Sequence, residues 1–369
     1  MMDRRSAHAV HLFAVAALLS ADLVTPAAAE TVKDALTQGT VDVDLRYRYE
    51  FVDQDSPGTP EDAKASTLRL RLGYTTGLYY GLFAMAELEG IWVIGSEQYK
   101  STANGLTQYP VVADPEGEEL NQGFLGYRPL DTMTFKLGRQ RIKLDNDRFI
   151  GNVGWRQNEQ TYDAFSGWFD CSDEFALFAG FIGNTNRVFG EDHPDLGRAE
   201  LNLDAPVLNI SCVLPLGKLT GYGDFLEFVE LGVGIEAVTL KAGYELLGGD
   251  GVYAFETPLA TGHSFNGWAD QFLVTPLAGQ ENIHVSAAAT LKRIDLLGVY
   301  HSFAPDTGSG DYGMELDLQI TRGFGKMYSV GAKYAGYSAD SGTPTIAFPG
   351  SVLANVDVEK IWVWLGPAF

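Results

Sequence analysis

The stretch "VDVDLRYRYEF" (41–51) constrains the fold more than any other feature of the chain. Val41, Val43, Leu45, Tyr47, Tyr49 and Phe51 fall on one face, and Asp42, Asp44, Arg46, Arg48 and Glu50 on the other. Strict period two marks a strand with one apolar side. "TLRLRLGY" repeats the device, setting Leu68, Leu70, Leu72 and Tyr74 against Arg69, Arg71 and Gly73. "DYGMELDLQITR" does so again, with Tyr312, Met314, Leu316, Leu318 and Ile320 opposed by Glu315, Asp317 and Gln319. Helical spacing is almost absent, so the chain reads as all-β.

Alternating strands build either a soluble sandwich or barrel or a transmembrane barrel. Three features favour the membrane. The polar faces are heavily charged, while the apolar faces carry Leu, Val and Tyr, as lipid contact and aromatic girdles require. Connections alternate in length: tight turns at 75–77, 128–131, 171–174, 215–218, 291–293 and 323–326 separate polar loops near 53–66, 92–118, 144–155, 186–198, 248–282, 304–310 and 338–355. The chain ends in "KIWVWLGPAF", whose Ile361, Val363, Leu365 and Phe369 share a face; a terminal aromatic on an amphipathic last strand is similar to the signal read by the barrel assembly machinery. Lipid cannot satisfy an open sheet edge, so the sheet must close. The expectation is a transmembrane antiparallel β-barrel of about 16 strands (16–18), with short periplasmic turns and long extracellular loops. A barrel of that size leaves an aqueous lumen.

The first residues are not part of that barrel. Arg4 and Arg5 precede the apolar run "HLFAVAALLSADLV", and Ala27 and Ala29 supply an A-x-A cleavage pattern. Residues 1–29 therefore read as a secretory signal peptide and 30–369 as one barrel domain exported to the bacterial outer membrane. Cys171 and Cys212 could pair in an oxidising compartment, and small apolar strand residues are the better reading of both.

The composition narrows the function. The formal charge is −22, which disfavours nucleic acid, whose phosphates need a basic partner. No cofactor is expected beyond calcium held at the acidic surface. Glu191, Asp192 and Asp195 in "GEDHPDLGR" could hold such a cation, but without a Gly-spaced calcium loop an ordinary acidic loop explains them better. An enzyme is not expected: His193, His263, His284 and His301 follow the leader, and no serine elbow or paired acids accompany them at a recognisable spacing. "GWADQF" (267–272) either folds its loop back into the mouth as a plug or gate, or anchors it by ordinary apolar contact.

The arginines are the sharpest chemical feature. Arg46, Arg48, Arg69, Arg71, Arg139, Arg141, Arg148 and Arg156 fall on or beside early strands, with Glu87, Glu89 and Asp163 on strands close by. An arginine facing lipid at mid-membrane costs roughly 2–4 kcal/mol, so all eight are expected to project inward. Facing one another in a wet lumen they form either a positive constriction for an anion to cross or packing that only stiffens the barrel. Phe135 and Leu137 share parity with Arg139 and Arg141; a bulge near Gly138, or a strand already above the membrane, reconciles the two.

The stretches "LGRQRIKLDNDRFIGNVGWRQNEQTYDAF", "NRVFGEDHPDLGRAELNLDAPVLN", "GKLTGYGDFLEF", "LKAGYELLGGDG" and "FNGWADQFLVTP" resemble the alginate-export family of outer-membrane porins. The resemblance implies a monomeric barrel whose arginine-rich constriction passes an anionic polyuronate outward. By position it implies Arg48, Arg71, Arg139 and Arg156 as constriction arginines and Asp163 as an acidic partner. The chain departs from the family where "GYGDFLEF" runs straight into "VELGVGIEAVTLKAGYELL": either a hairpin is lost there, or 219–236 is one strand. The expected function is a channel for anionic solutes, an exported alginate-like polysaccharide first and small organic anions through a general porin second. A structural or adhesive barrel with an acidic surface is the reading outside transport. Outer-membrane lipid and lipopolysaccharide are the expected surroundings.

Overall fold

A computed structural model describes residues 29–369 except 173, 215–216, 222–226, 236, 325–327 and 368–369, with the backbone alone over most of 212–235. The expected leader, save its last residue, and the terminal Phe369 lie outside the described residues.

The alternating stretches form strands. The first are β1 (Thr40–Gln54), β2 (Ala63–Thr75), β3 (Leu82–Val93), β4 (Gly117–Leu130), β5 (Met133–Gln140) and β6 (Thr161–Asp170). Next come β7 (Phe175–Asn186), β8 (Glu200–Leu214), β9 (Gly217–Gly221), β10 (Glu227–Ile235), β11 (Val238–Leu247) and β12 (Gln280–Leu291). The last are β13 (Ile294–Ala304), β14 (Gly313–Phe324), β15 (Tyr328–Ala339) and β18 (Val358–Pro367); β16 (Thr345–Phe348) and β17 (Ser351–Ala354) make a separate hairpin in the preceding loop. Among the described residues one sheet holds 16 strands, and every pairing within it is antiparallel. β18 pairs with both β15 and β1, so the last strand meets the first, as closure into a barrel requires. The sheet's two ends are β9 and β10, consecutive in sequence, and the residues between them, 222–226, lie outside the described set. Residues 228–231 sit within β10, so 219–236 is not a single strand.

The alternation reads directly onto the two faces. Leu316 is 46% exposed and its neighbour Asp317 is 0%. Val41, Val43, Leu45, Leu72, Leu318, Val363 and Leu365 are exposed, while Arg46, Arg48, Arg69, Trp362 and Trp364 are buried. In water such a molecule would be inside out; with hydrocarbon as the outer solvent, each face meets the medium it needs. No described helix is long and apolar enough to cross a membrane.

Two elements go beyond the expected pattern. Helix α1 (Val32–Thr37) precedes β1, and Thr31 caps it by accepting from the Asp34 N–H. It leans on a short turn, where the Gly77 N–H donates to the Ala35 carbonyl at 2.9 Å and the Tyr74 hydroxyl to that of Leu36 at 2.8 Å. Inside the barrel, segments 141–160 and 261–272 fold inward instead of standing clear of the mouth, each packed on apolar wall residues. Ile142, Leu144 and Ile150 pack with Tyr162, Phe178 and Ile182; Trp268, Ala269 and Phe272 pack with Phe303, Tyr337 and Trp362.

Candidate functional site

β1 and β2 pair with Arg46 directly opposite Arg69 and Asp44 opposite Arg71. Period two then places Arg46, Arg48, Arg69 and Arg71 on the lumen side, where all four are buried. Like charges this close repel, and burial strips their water, so each must find oxygen. Arg69 meets the Asp44 carboxylate at 2.5 Å. Arg71 pairs with Glu89, and Arg48 with Asp114 and, at 3.6 Å, Glu50.

The remaining donors grip segment 141–160. Arg46 donates Nη1 to the Gly154 carbonyl at 3.0 Å, Nη2 to that of Arg156, and Nε to Gln157 Oε1 at 2.9 Å. Arg48 reaches the Trp155 carbonyl. Arg69 and Arg71 both donate to the Gln157 carbonyl, at 3.4 and 3.3 Å. Gln157 is held from two more sides: its N–H donates to Asp114 at 2.9 Å, and its side-chain amide to the Thr67 hydroxyl at 2.8 Å. A row of four guanidinium groups on the wall thus faces a row of four consecutive oxygen-bearing residues, 154–157.

The same segment brings its own charges. Arg141 is bonded to Glu159 and lies 3.4 Å from Glu87, and Glu159 also accepts from Asn121 at 2.7 Å and faces Arg71 at 3.4 Å. Burial alone would raise the Glu159 carboxyl, but the guanidinium groups of Arg141 and Arg71 outweigh it and hold the group well below the usual range. Arg156 bridges Glu50, at 3.2 Å, and Asp270 of the second inward segment, at 2.9 Å. Arg148 makes a two-toothed pair with Glu245 on β11, at 2.5 and 2.7 Å, so it fastens the segment to the opposite wall.

A stack of rings locks the two segments together. The His263 imidazole lies between Trp155, 5.5 Å away, and Trp268, 6.4 Å away, with both pairs stacked. Lys333 of β15 puts its ammonium 3.7 Å from the Trp268 ring and 4.2 Å from that of Trp155, and 2.9 Å from His263 Nε2. Lysine can only donate, so Nε2 accepts and the ring's other nitrogen donates to Asp270 at 2.6 Å: the neutral tautomer. Burial, helped by the charge of Lys333, lowers the His263 pKa to about 3. Lys360 of β18 completes the lock, 2.8 Å from Asp270. Asp270 has φ +62, a left-handed backbone that suits a short polar residue at a tight reversal.

The structure brings Arg46, Arg48, Arg69, Arg71, Arg141, Arg156 and Glu87 into one network and sets Arg148 apart from it. Arg139 and Asp163 do not take the expected inward parity. They pair across β5 and β6 at 3.0 Å, on the side of the exposed Leu137 and Phe165 and one pair nearer the long loops, and Arg139 also binds Glu191. Gly138 has φ +127, yet the β4–β5 pairing runs through it without a shift, so the strand rises above the apolar belt and no bulge turns Arg139 inward. Asp195 caps the short helix α2 (Leu196–Ala199), and Asp192 is exposed. Cys171 is a free, exposed thiol at the β6–β7 turn. Sequence reasoning missed Gln157, Asp114, His263, Lys333 and Lys360 as parts of the site; inward parity marks Lys333 and Lys360, and nothing local marks the others.

Comparison with known proteins agrees with this geometry. A sequence model of the alginate-export family matches residues 37–179, the part that holds the guanidinium row and segment 141–160. No curated protein matches the chain by sequence. Among solved structures the chain is similar to Pseudomonas aeruginosa OccK9 (OpdG), with TM-score 0.62 and 15% identity, covering 90% of this chain and 100% of that one. It is also similar to OpdQ of the same organism, with TM-score 0.59 and 14% identity over 91% and 100% of the two chains. OpdK, solved with vanillate, gives TM-score 0.57 and 13% identity over 88% and 98%. The fold is that of an outer-membrane β-barrel porin.

Proposed function

We propose that this chain is an outer-membrane channel for carboxylate-bearing solutes, with an alginate-like polyuronate as the first candidate. The observation that carries the reading is the facing pair of rows: Arg46, Arg48, Arg69 and Arg71 present donors along a line, and residues 154–157 fill that line with oxygens. A polymer with repeated carboxylates and hydroxyls offers the same guanidinium groups acceptors at short intervals. Conduction needs binding strong enough to admit a solute and divided enough to release it, which serial sites provide. Residues 154–157 occupy the donors at this level, and passage requires them to give up their place on the arginines. The family match over 37–179 supports the polymer. Small organic anions are the second reading, favoured by the fold shared with a barrel solved with vanillate.

Planar-bilayer reversal potentials under a salt gradient test the channel. The wild type prefers anions, and Arg46→Ala with Arg69→Ala reduces that preference while raising conductance, because the same groups hold 154–157 in place. Unchanged selectivity in the double variant refutes the role of the row. Oligomannuronate blocking the current where benzoate does not selects the polymer; the reverse selects the small anions.

A further inference from the structure

The outer face of β12–β15 carries a feature that the transport reading does not use. Two cross-strand rows run over it: Ala289, Leu296, Ile320 and Ala332, then Ala287, Gly298, Leu318 and Tyr334. Ala287, Ala289, Gly298 and Ala332 are small where neighbouring outward positions are large, and they floor an apolar groove of about 530 Å³ walled by Leu318 and Tyr334 among others. One row nearer the short turns, Arg322 stands opposite Ile294, and the adjoining turn is Lys292–Arg293. None of the three cations is paired with a carboxylate among the described residues, in a chain whose net charge is −22. Phe324 and Tyr328 are exposed just below, at the level where aromatic residues meet the interface, and Arg322 lies 5.4 Å over the Phe324 ring.

The turn itself is unusual. Lys292 has φ +50 and Arg293 φ +75, both left-handed, in a two-residue hairpin connection. That geometry favours Asn-Gly, and two long basic side chains are strained in it. Strain of this kind calls for a use of the residues concerned. We propose that this face binds an anionic glycerophospholipid of the periplasmic leaflet, its phosphate held by Lys292, Arg293 and Arg322 and an acyl chain laid in the groove. Charge complementarity chooses the head group, and hydrocarbon as the surrounding solvent chooses the tail.

Native mass spectrometry of the detergent-solubilised full chain, titrated with dioleoyl phosphatidylglycerol or dioleoyl phosphatidylcholine, tests this. The wild type is expected to retain phosphatidylglycerol at least about tenfold better. Lys292→Gln with Arg293→Gln and Arg322→Gln removes the preference, and the charge-preserving set Lys292→Arg, Arg293→Lys and Arg322→Lys keeps it. Gly298→Phe, which fills the floor where a Cβ would already touch Leu318 at 3.4 Å, lowers retention of both lipids. Heat-dependent gel mobility verifies that each barrel is folded. Equal retention of the two lipids by the wild type, a preference that survives loss of the three cations, or a second copy of the chain occupying the face overturns the proposal.

Discussion

Asp270→Asn is the most informative single change at the lock between the inward segments. The Asp270 carboxylate accepts from Arg156 at 2.9 Å, Lys360 at 2.8 Å and His263 at 2.6 Å, and its side chain is only 7% exposed. An amide of the same shape keeps one acceptor oxygen but cannot balance two buried cations. Breaking a buried pair from one side costs about 3–5 kcal/mol. Part of that is recovered when the loosened segment admits water to Arg156 and Lys360, so we take about 3 kcal/mol for the docked state. At about 1.4 kcal/mol per decade, the ratio of docked to undocked segment falls roughly 100-fold. Single-channel recording reads this as a matching rise in open probability until the channel is open most of the time. Unchanged open probability in a folded Asp270→Asn barrel refutes the claim that this carboxylate holds the segment.

Acid acts on the same lock. Docked His263 titrates near 3 and the undocked ring near ~6.5, so between these values the undocked form carries the extra proton. Docking is therefore fully present above about pH 6.5 and weakens as pH falls, by about 1.4 kcal/mol per unit. Open probability should rise from pH 7 to 5 by roughly 25-fold, and His263→Gln should flatten the profile; a flat wild-type profile contradicts this. Arg148→Ala leaves Glu245 buried without its partner and should destabilise the barrel by about 3 kcal/mol in urea unfolding, with little change in ion selectivity. Cys171, exposed at a short turn, should react with a membrane-impermeant maleimide from the periplasmic side alone in a Cys212→Ser background; labelling from outside intact cells would invert the orientation.

The fold was legible because period two survives in almost every strand, and a residue's parity states which medium it meets. The inward placement of Arg46, Arg48, Arg69 and Arg71 followed from that alone. Arg139 and Asp163 share a side with Leu137 and Phe165, and of the two reconciliations open in the sequence, a bulge near Gly138 or a strand already above the membrane, the unshifted pairing through Gly138 leaves the second. Trp268 and Asp270 of the lock sit in the "GWADQF" stretch that the sequence offered as a plug or gate, but its other members were out of reach. Trp155, His263 and Lys333 come from three separate elements, and the His263–Lys333 contact joins residues 70 positions apart. No periodicity links them. The guanidinium row was readable, but its present partner was not, since carbonyl oxygens of 154–157 carry no side-chain signature. Helix α1 was missed because six residues are too short for helical spacing to show.

A lumen lined by arginine requires the apolar face of each ribbon to meet hydrocarbon, and spin-label accessibility along β14 measures that directly. Single labels at 314 to 320, in bilayers with oxygen as the lipid-soluble relaxant and a nickel chelate as the aqueous one, should give oxygen maxima at 314, 316, 318 and 320 and minima at 315, 317 and 319. Maxima at the odd positions, or no alternation, would place the charged rows against acyl chains and end the case for a lumen lined by arginine.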